Sequence, residues 1–207
     1  IKKEQESMGT KCDYYDLTTL LDEAELKRMG VEKLPPAGIL VLRGGISELL
    51  GENDAWMKVE DELERCKDDK HALMYGDVRL KSARWNWCFG EFQQDPDYKN
   101  GRGSVYDIRE KQFEYLNHLR EQATKLVDYP LGPDKMLLCG EVNHYYDCTF
   151  TGIGWHGDKE RRIVVGSRHG PGTVDMPVKW CWLKKENVRQ PSGKYLQETT
   201  YYGKEQW

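Results

Sequence analysis

The segment "IREKQFEYLNHLREQATKLVDYP" constrains the fold more than any other. It sets Ile108, Phe113, Leu116, Leu119, Ala123 and Leu126 on one stripe at helical spacing. Pro130 and Pro133 end the helix, because proline lacks the amide that the next turn needs. From residue 136 onward the helical period is gone. Short runs with strand character take over: "MLLCGEVNHYYD", "GIGWHGD", "RRIVVGSR", "VKWCWLKKE" and "KYLQETTYY". Helices followed by many short strands make an α+β pattern, with a sandwich or barrel core that the helices support.

Upstream of that helix the chain mixes both periods. Residues 1–11 are polar and read as disordered or wrapped on a neighbour. "LTTLLDEAELKRMG" is a helix that Gly30 stops. "PPAGILVLRGG" is a short strand between a proline entry and a glycine exit. "SELLG" and "NDAWMKVEDELERCKDD" are helices. In the second, Asn53 is the candidate N-cap, and Trp56, Val59 and Leu63 share a face. "ALMYGDVRL" and "ARWNWCFGEF" alternate as strands, and "QQDPDYKNGRGS" is a loop. With 207 residues and no repeat, low-complexity tract or linker, one domain with a sizeable core, or at most two small ones, is expected.

Composition narrows the function classes. Hydrophobic residues make up 38% and charged residues 32%, a soluble globular balance. The 7 Trp and 12 Tyr outnumber the 4 Phe, so most aromatics carry a polar handle suited to half-buried strands or a polar pocket. The net charge of −4 excludes a global basic field; nucleic-acid binding would need a local patch. Cys12, Cys66, Cys88, Cys139, Cys148 and Cys181 form no CxxC pair and read as reduced, mostly buried thiols. No apolar run reaches membrane-spanning length. The chain opens at Ile1 with no signal-like segment, and reads as an intracellular protein that is processed or part of a longer chain.

Chemistry concentrates in residues 143–162. In "TGIGWHGDKERR", His156 and Asp158 stand at i and i+2, so on a strand they face one way, with Gly157 leaving space between them. An imidazole and a carboxylate converging like this are two-thirds of a 2-His-1-carboxylate iron site. A polar turn between strands is the plainer reading. Just upstream, Asn143 and Tyr145 have the same spacing and offer an amide and a phenol to an organic acid. Trp155 and the "WNWCF" segment read first as core, and Glu160 as a solvated charge beside Arg161 and Arg162.

The run Asn143-x-Tyr145, Gly154-Trp155-His156-Gly157-Asp158-x-Glu160, Val165-Gly166 resembles the AlkB-type branch of the Fe(II)/2-oxoglutarate dioxygenases, particularly algal and viral members. The resemblance extends loosely over residues 36–185 and is specific over 140–170. It implies a double-stranded β-helix (jelly-roll) core over 36–207, with residues 1–35 as an N-terminal extension and helix in an outer helical layer. It implies that His156 and Asp158 ligate Fe(II), and that Asn143 and Tyr145 contact 2-oxoglutarate. The segment from Ala72 to Ile108 would form a substrate-side wall.

The pattern departs from the family downstream. A second histidine and then an arginine should follow on later strands, the arginine to pair the distal carboxylate of 2-oxoglutarate. Here the one histidine after Asp158 is His169, far closer than the family places its ligand, and Arg189 follows with no histidine suitably before it. Two functions therefore compete. One is a dioxygenase that hydroxylates or demethylates a nucleic acid or protein substrate, with Fe(II) and 2-oxoglutarate conditional on a complete site. The other is a degenerate, inactive AlkB-like module that serves as a structural or interaction subunit with protein partners.

Overall fold

Helices and small sheets alternate along the chain, an α+β architecture. The computed structural model describes residues 1–74, 77–127, 138–154, 164–170 and 179–206. The first elements are α1 (Lys2–Ser7), β1 (Cys12–Asp16), α2 (Glu23–Met29), β2 (Gly38–Leu42), α3 (Gly45–Leu50) and α4 (Ala55–Leu63). The hairpin β3 (His71–Met74) and β4 (Asp77–Leu80) follows, then β5 (Trp85–Gly90), β6 (Tyr106–Asp107) and α5 (Glu114–Leu126). The last are β7 (Gly140–His144), β8 (Lys179–Arg189) and β9 (Tyr195–Gln206). They fall into two units, Gly44–Val174 with Ile1, and Lys2–Arg43 with Asp175–Trp207.

The first unit is built on a three-stranded sheet of order β6-β5-β7, with β5 parallel to β6 and antiparallel to β7. Trp87 and Phe89 of β5 are buried on one face with Ile46, Ala55, Val59, Leu63, Cys66, Ile108 and Phe113. Ala55, Val59 and Leu63 sit at i, i+4 and i+8, the stripe a helix needs to bury one side. Phe89, Tyr106 and Phe113 meet pairwise at 5.3–5.8 Å between ring centres. Glu62 of α4 is buried, and its two carboxylate oxygens accept the Tyr115 and Leu116 amides at 2.8 Å each. It closes the first turn of α5, whose own N-cap residue, Phe113, has no side-chain acceptor.

The second unit pairs β1 with β2 and β8 with β9, both antiparallel. Its core holds Leu21, Met29, Leu34 and Tyr202, with Leu26, Val31 and Trp182 packed against them. Asp22 caps α2 by accepting the Glu25 amide at 2.8 Å. Gly30 ends it at φ +75°, the left-handed turn that glycine adopts without cost.

Several expectations change. Residues 2–7 are helical rather than disordered. Asp54, not Asn53, holds the N-cap position of α4 and makes no side-chain cap bond. The helix α5 begins only at Glu114, because Lys111–Phe113 form a 3-10 turn first; Ile108 still buries from outside the helix. The "ALMYGDVRL" segment is a hairpin rather than one strand. Gly152–Gly154 and Val164–Arg168 lie outside the strands, and the latter are exposed. Of the six thiols, all free, Cys66 alone is buried, while Cys139, Cys148 and Cys181 are exposed. The described sheets have two or three strands each, and none of them closes into a barrel.

Candidate functional site

Strand alternation splits β5 and β7 into two chemistries. Cross-strand partners are Trp85 with His144, Asn86 with Asn143, Trp87 with Val142 and Cys88 with Glu141. Trp87, Phe89 and Val142 face the core. Asn86, Cys88, Glu141 and Asn143 therefore fall on the opposite face. Asn86 and Asn143 stand side by side, and a cation reaches each. Arg84 Nε donates to Asn143 Oδ1 at 2.6 Å, and Lys81 Nζ donates to Asn86 Oδ1. Among the described residues, no carboxylate pairs with Arg84, and Lys81 has only Asp69 at 3.8 Å.

Asp69 is 12% exposed at its side chain and anchors this cluster. Its carboxylate accepts the Tyr98 hydroxyl, Ser104 Oγ at 3.0 Å and the His71 amide at 3.1 Å. Burial pushes the Asp69 carboxyl up. The hydrogen bonds from Tyr98, His71 and Ser104, with Lys81 nearby, outweigh it and hold the group below the usual carboxylate range. Burial, and then the bond to Asp69, raise the Tyr98 phenol, which stays protonated as the donor.

The aromatic end of the sheet lies next to this face. Tyr146 stacks on Trp85 at 4.0 Å, and Lys70 Nζ lies 4.4 Å from the Trp85 ring centre. His144 meets Trp85 edge-on and Trp87 at 5.3 Å, with Asp68 3.5 Å from its Nδ1. Asp147 then folds the chain back, accepting from Thr149 N at 2.9 Å and from its hydroxyl, while Gly152 N bonds Ala83 O. These bonds hold the Asp147 carboxyl below its ordinary range.

Of the sequence-predicted residues, Asn143 lies on the polar face of β7. Tyr145 lies one residue beyond the end of the strand and is half-buried, so the ladder does not enforce a shared face for the two. His156 and Asp158 lie outside the described residues, as do Trp155 and Glu160. Among the described residues no group of three His, Cys, Asp or Glu side chains could hold a metal ion. His169 is hydrogen-bonded through Nδ1 to Glu60 of α4. Reading the sequence for chemistry missed Lys81, Arg84 and Asn86. The alternation of "RWNWCF" carried the signal, since it sets Asn86 opposite to Trp85 and Trp87.

The chain is similar to an uncharacterized protein of Acanthamoeba polyphaga mimivirus, 35% identical over 180 residues. The match covers 87% of this chain and 64% of the viral protein, so the chain spans less than two thirds of that relative's length. No family model matches the chain. No solved structure matches it either.

Proposed function

We propose that this chain carries one half of an AlkB-like Fe(II)/2-oxoglutarate-dependent dioxygenase site, built on the jelly-roll core of that family. The observation that supports it most is the paired Asn86 and Asn143 with Arg84 and Lys81 bonded to them. Amide and cationic donors on one half-buried face are the donor set that a dicarboxylate accepts. In this reading Asn143 Nδ2 donates to the organic acid and Arg84 fixes the rotamer of Asn143. Tyr145 adds a phenol donor, and His156 and Asp158 would hold the metal. Iron with 2-oxoglutarate and O₂ would supply the oxidising power for hydroxylation of a C–H bond. The substrate class remains nucleic acid or protein.

Calorimetric titration of 2-oxoglutarate into the protein with Mn(II), in wild type, N143A, Y145F and H156A, tests the reading. Metal-dependent binding is expected in wild type. It is weakened about tenfold or more in Y145F, by loss of one hydrogen bond to a charged group, and its metal dependence is abolished in H156A. No binding at millimolar ligand, or binding indifferent to all three changes, overturns it.

A second reading, the inactive interaction module, draws on His169. It is the one histidine after Asp158, and Glu60 holds it on α4. Succinate release with Fe(II), ascorbate and 2-oxoglutarate separates the two. Release abolished by His156→Ala supports the enzyme, and binding without release supports the module.

A further inference from the structure

The β8–β9 ribbon carries an asymmetry that its sequence alone conceals. From Trp182 to Arg189 and from Tyr195 to Tyr202 the two strands pair residue for residue. One face holds Trp182 and Tyr202 over the core of its unit, then Lys184, Thr200, Glu186, Glu198, Val188 and Leu196. Lys184 pairs there with Glu186 at 2.9 Å. The other face holds Leu183 with Tyr201, Lys185 with Thr199, Asn187 with Gln197, and Arg189 with Tyr195. All eight of these residues are exposed, and the tyrosines strongly so, Tyr195 at 69% and Tyr201 at 52%.

In this stretch both carboxylates lie on the first face and none on the second. Lys185 and Arg189 make no ion pair among the described residues. The second face therefore combines two unpaired cations, an amide pair, a hydroxyl and two exposed aromatic rings. In a chain of net charge −4 this is a local basic patch set against the overall charge.

We propose that this face of the β8–β9 ribbon binds single-stranded nucleic acid. The cations take phosphates, Asn187 and Gln197 offer donors and acceptors to unpaired base edges, and Tyr195 and Tyr201 stack bases. An acidic peptide would use the cations but leave the tyrosines and amides idle. Two cations are few for a duplex, whose binding rests on many phosphate contacts. Tyr195 and Tyr201 lie on one strand and one face, roughly 20 Å apart at strand rise, enough for a short run of nucleotides.

The test is fluorescence anisotropy of a labelled single-stranded oligonucleotide of mixed sequence against the whole chain, over a salt series. The duplex form and poly-glutamate serve as competitors. The single strand is expected to bind, and Y195A and Y201A each to weaken it on the order of tenfold through loss of stacking. K185A/R189A should weaken it and lower the slope of log K against log salt by about 1.4, about 0.7 for each phosphate that is no longer neutralised. K184A, on the opposite face, should leave binding unchanged. All five positions lie on the ribbon surface, and circular dichroism confirms that each variant folds. No binding at low salt overturns the proposal. So does tighter binding of the duplex, displacement by poly-glutamate, or K184A matching K185A/R189A.

Discussion

Replacing Glu62 by Ala should destabilise the first unit more than any surface change. Glu62 is 5% exposed, and each of its carboxylate oxygens accepts one amide from the first turn of α5, at 2.8 Å. Hydrogen bonds to a charged group are worth about 1.5–3 kcal/mol each, and a negative charge at a helix N-terminus adds up to about 1 kcal/mol. Recovering the desolvation cost of a buried carboxylate offsets part of that. The net loss expected is roughly 2–4 kcal/mol, a fall in melting temperature on the order of 5–15 °C for a chain of this size. Glu62→Gln keeps one acceptor but turns an NH₂ toward the second amide, so about half the loss or more should remain. Urea unfolding followed by far-ultraviolet circular dichroism gives the free energy. Amide hydrogen exchange at Tyr115 and Leu116 gives the local effect, which should be faster exchange at both. A loss below about 0.5 kcal/mol with both amides still protected would refute the capping argument.

Three further outcomes follow from other residues. Gly203 sits at φ +66°, and a Cβ there would come 2.7 Å from Leu21 Cδ2, so Gly203→Ala should cost about 1–2 kcal/mol in urea unfolding. Asp69 has a carboxyl held below its ordinary value in the fold. Its contribution is complete above the unfolded carboxylate pKa of about 3.9 and fades as pH falls through the lower folded value. Stability against pH for Asp69→Asn should therefore lack part of the loss that wild type shows on acidification below about pH 4. Burial pushes the Cys66 thiol up to about 12, so in the native protein at pH 8 it should resist a thiol reagent that labels Cys139, Cys148 and Cys181 quickly. Mass spectrometry of the labelled peptides checks this.

Local rules were enough where a signal acts over a few residues. The Gly30 stop of α2, the strand "GILVL", the Val59–Leu63 face of α4 and the β8 and β9 segments are all legible in the sequence. Each depends on the period of the apolar residues or on a glycine that alone tolerates a left-handed turn. The pairing of β5 with β7 was not legible, because nothing local says which of several short strands will lie together. Asn86 and Asn143 become neighbours only through that register, and with them Arg84 and Lys81 enter the candidate site. Glu62 looks like any helix-surface carboxylate until α5 packs its first turn against it. The basic face of the ribbon likewise depends on the fold: alternation along β8 sets Lys185 and Arg189 opposite to Lys184 and Glu186, and the β9 register brings Tyr195 and Tyr201 to the same face. The sequence alone thus determined many of the helices and strands, though not α1 or the irregular backbone at Gly152–Gly154 and Val164–Arg168. The tertiary structure decided which polar side chains meet, because contacts between distant residues follow from strand order and helix packing rather than from spacing along the chain.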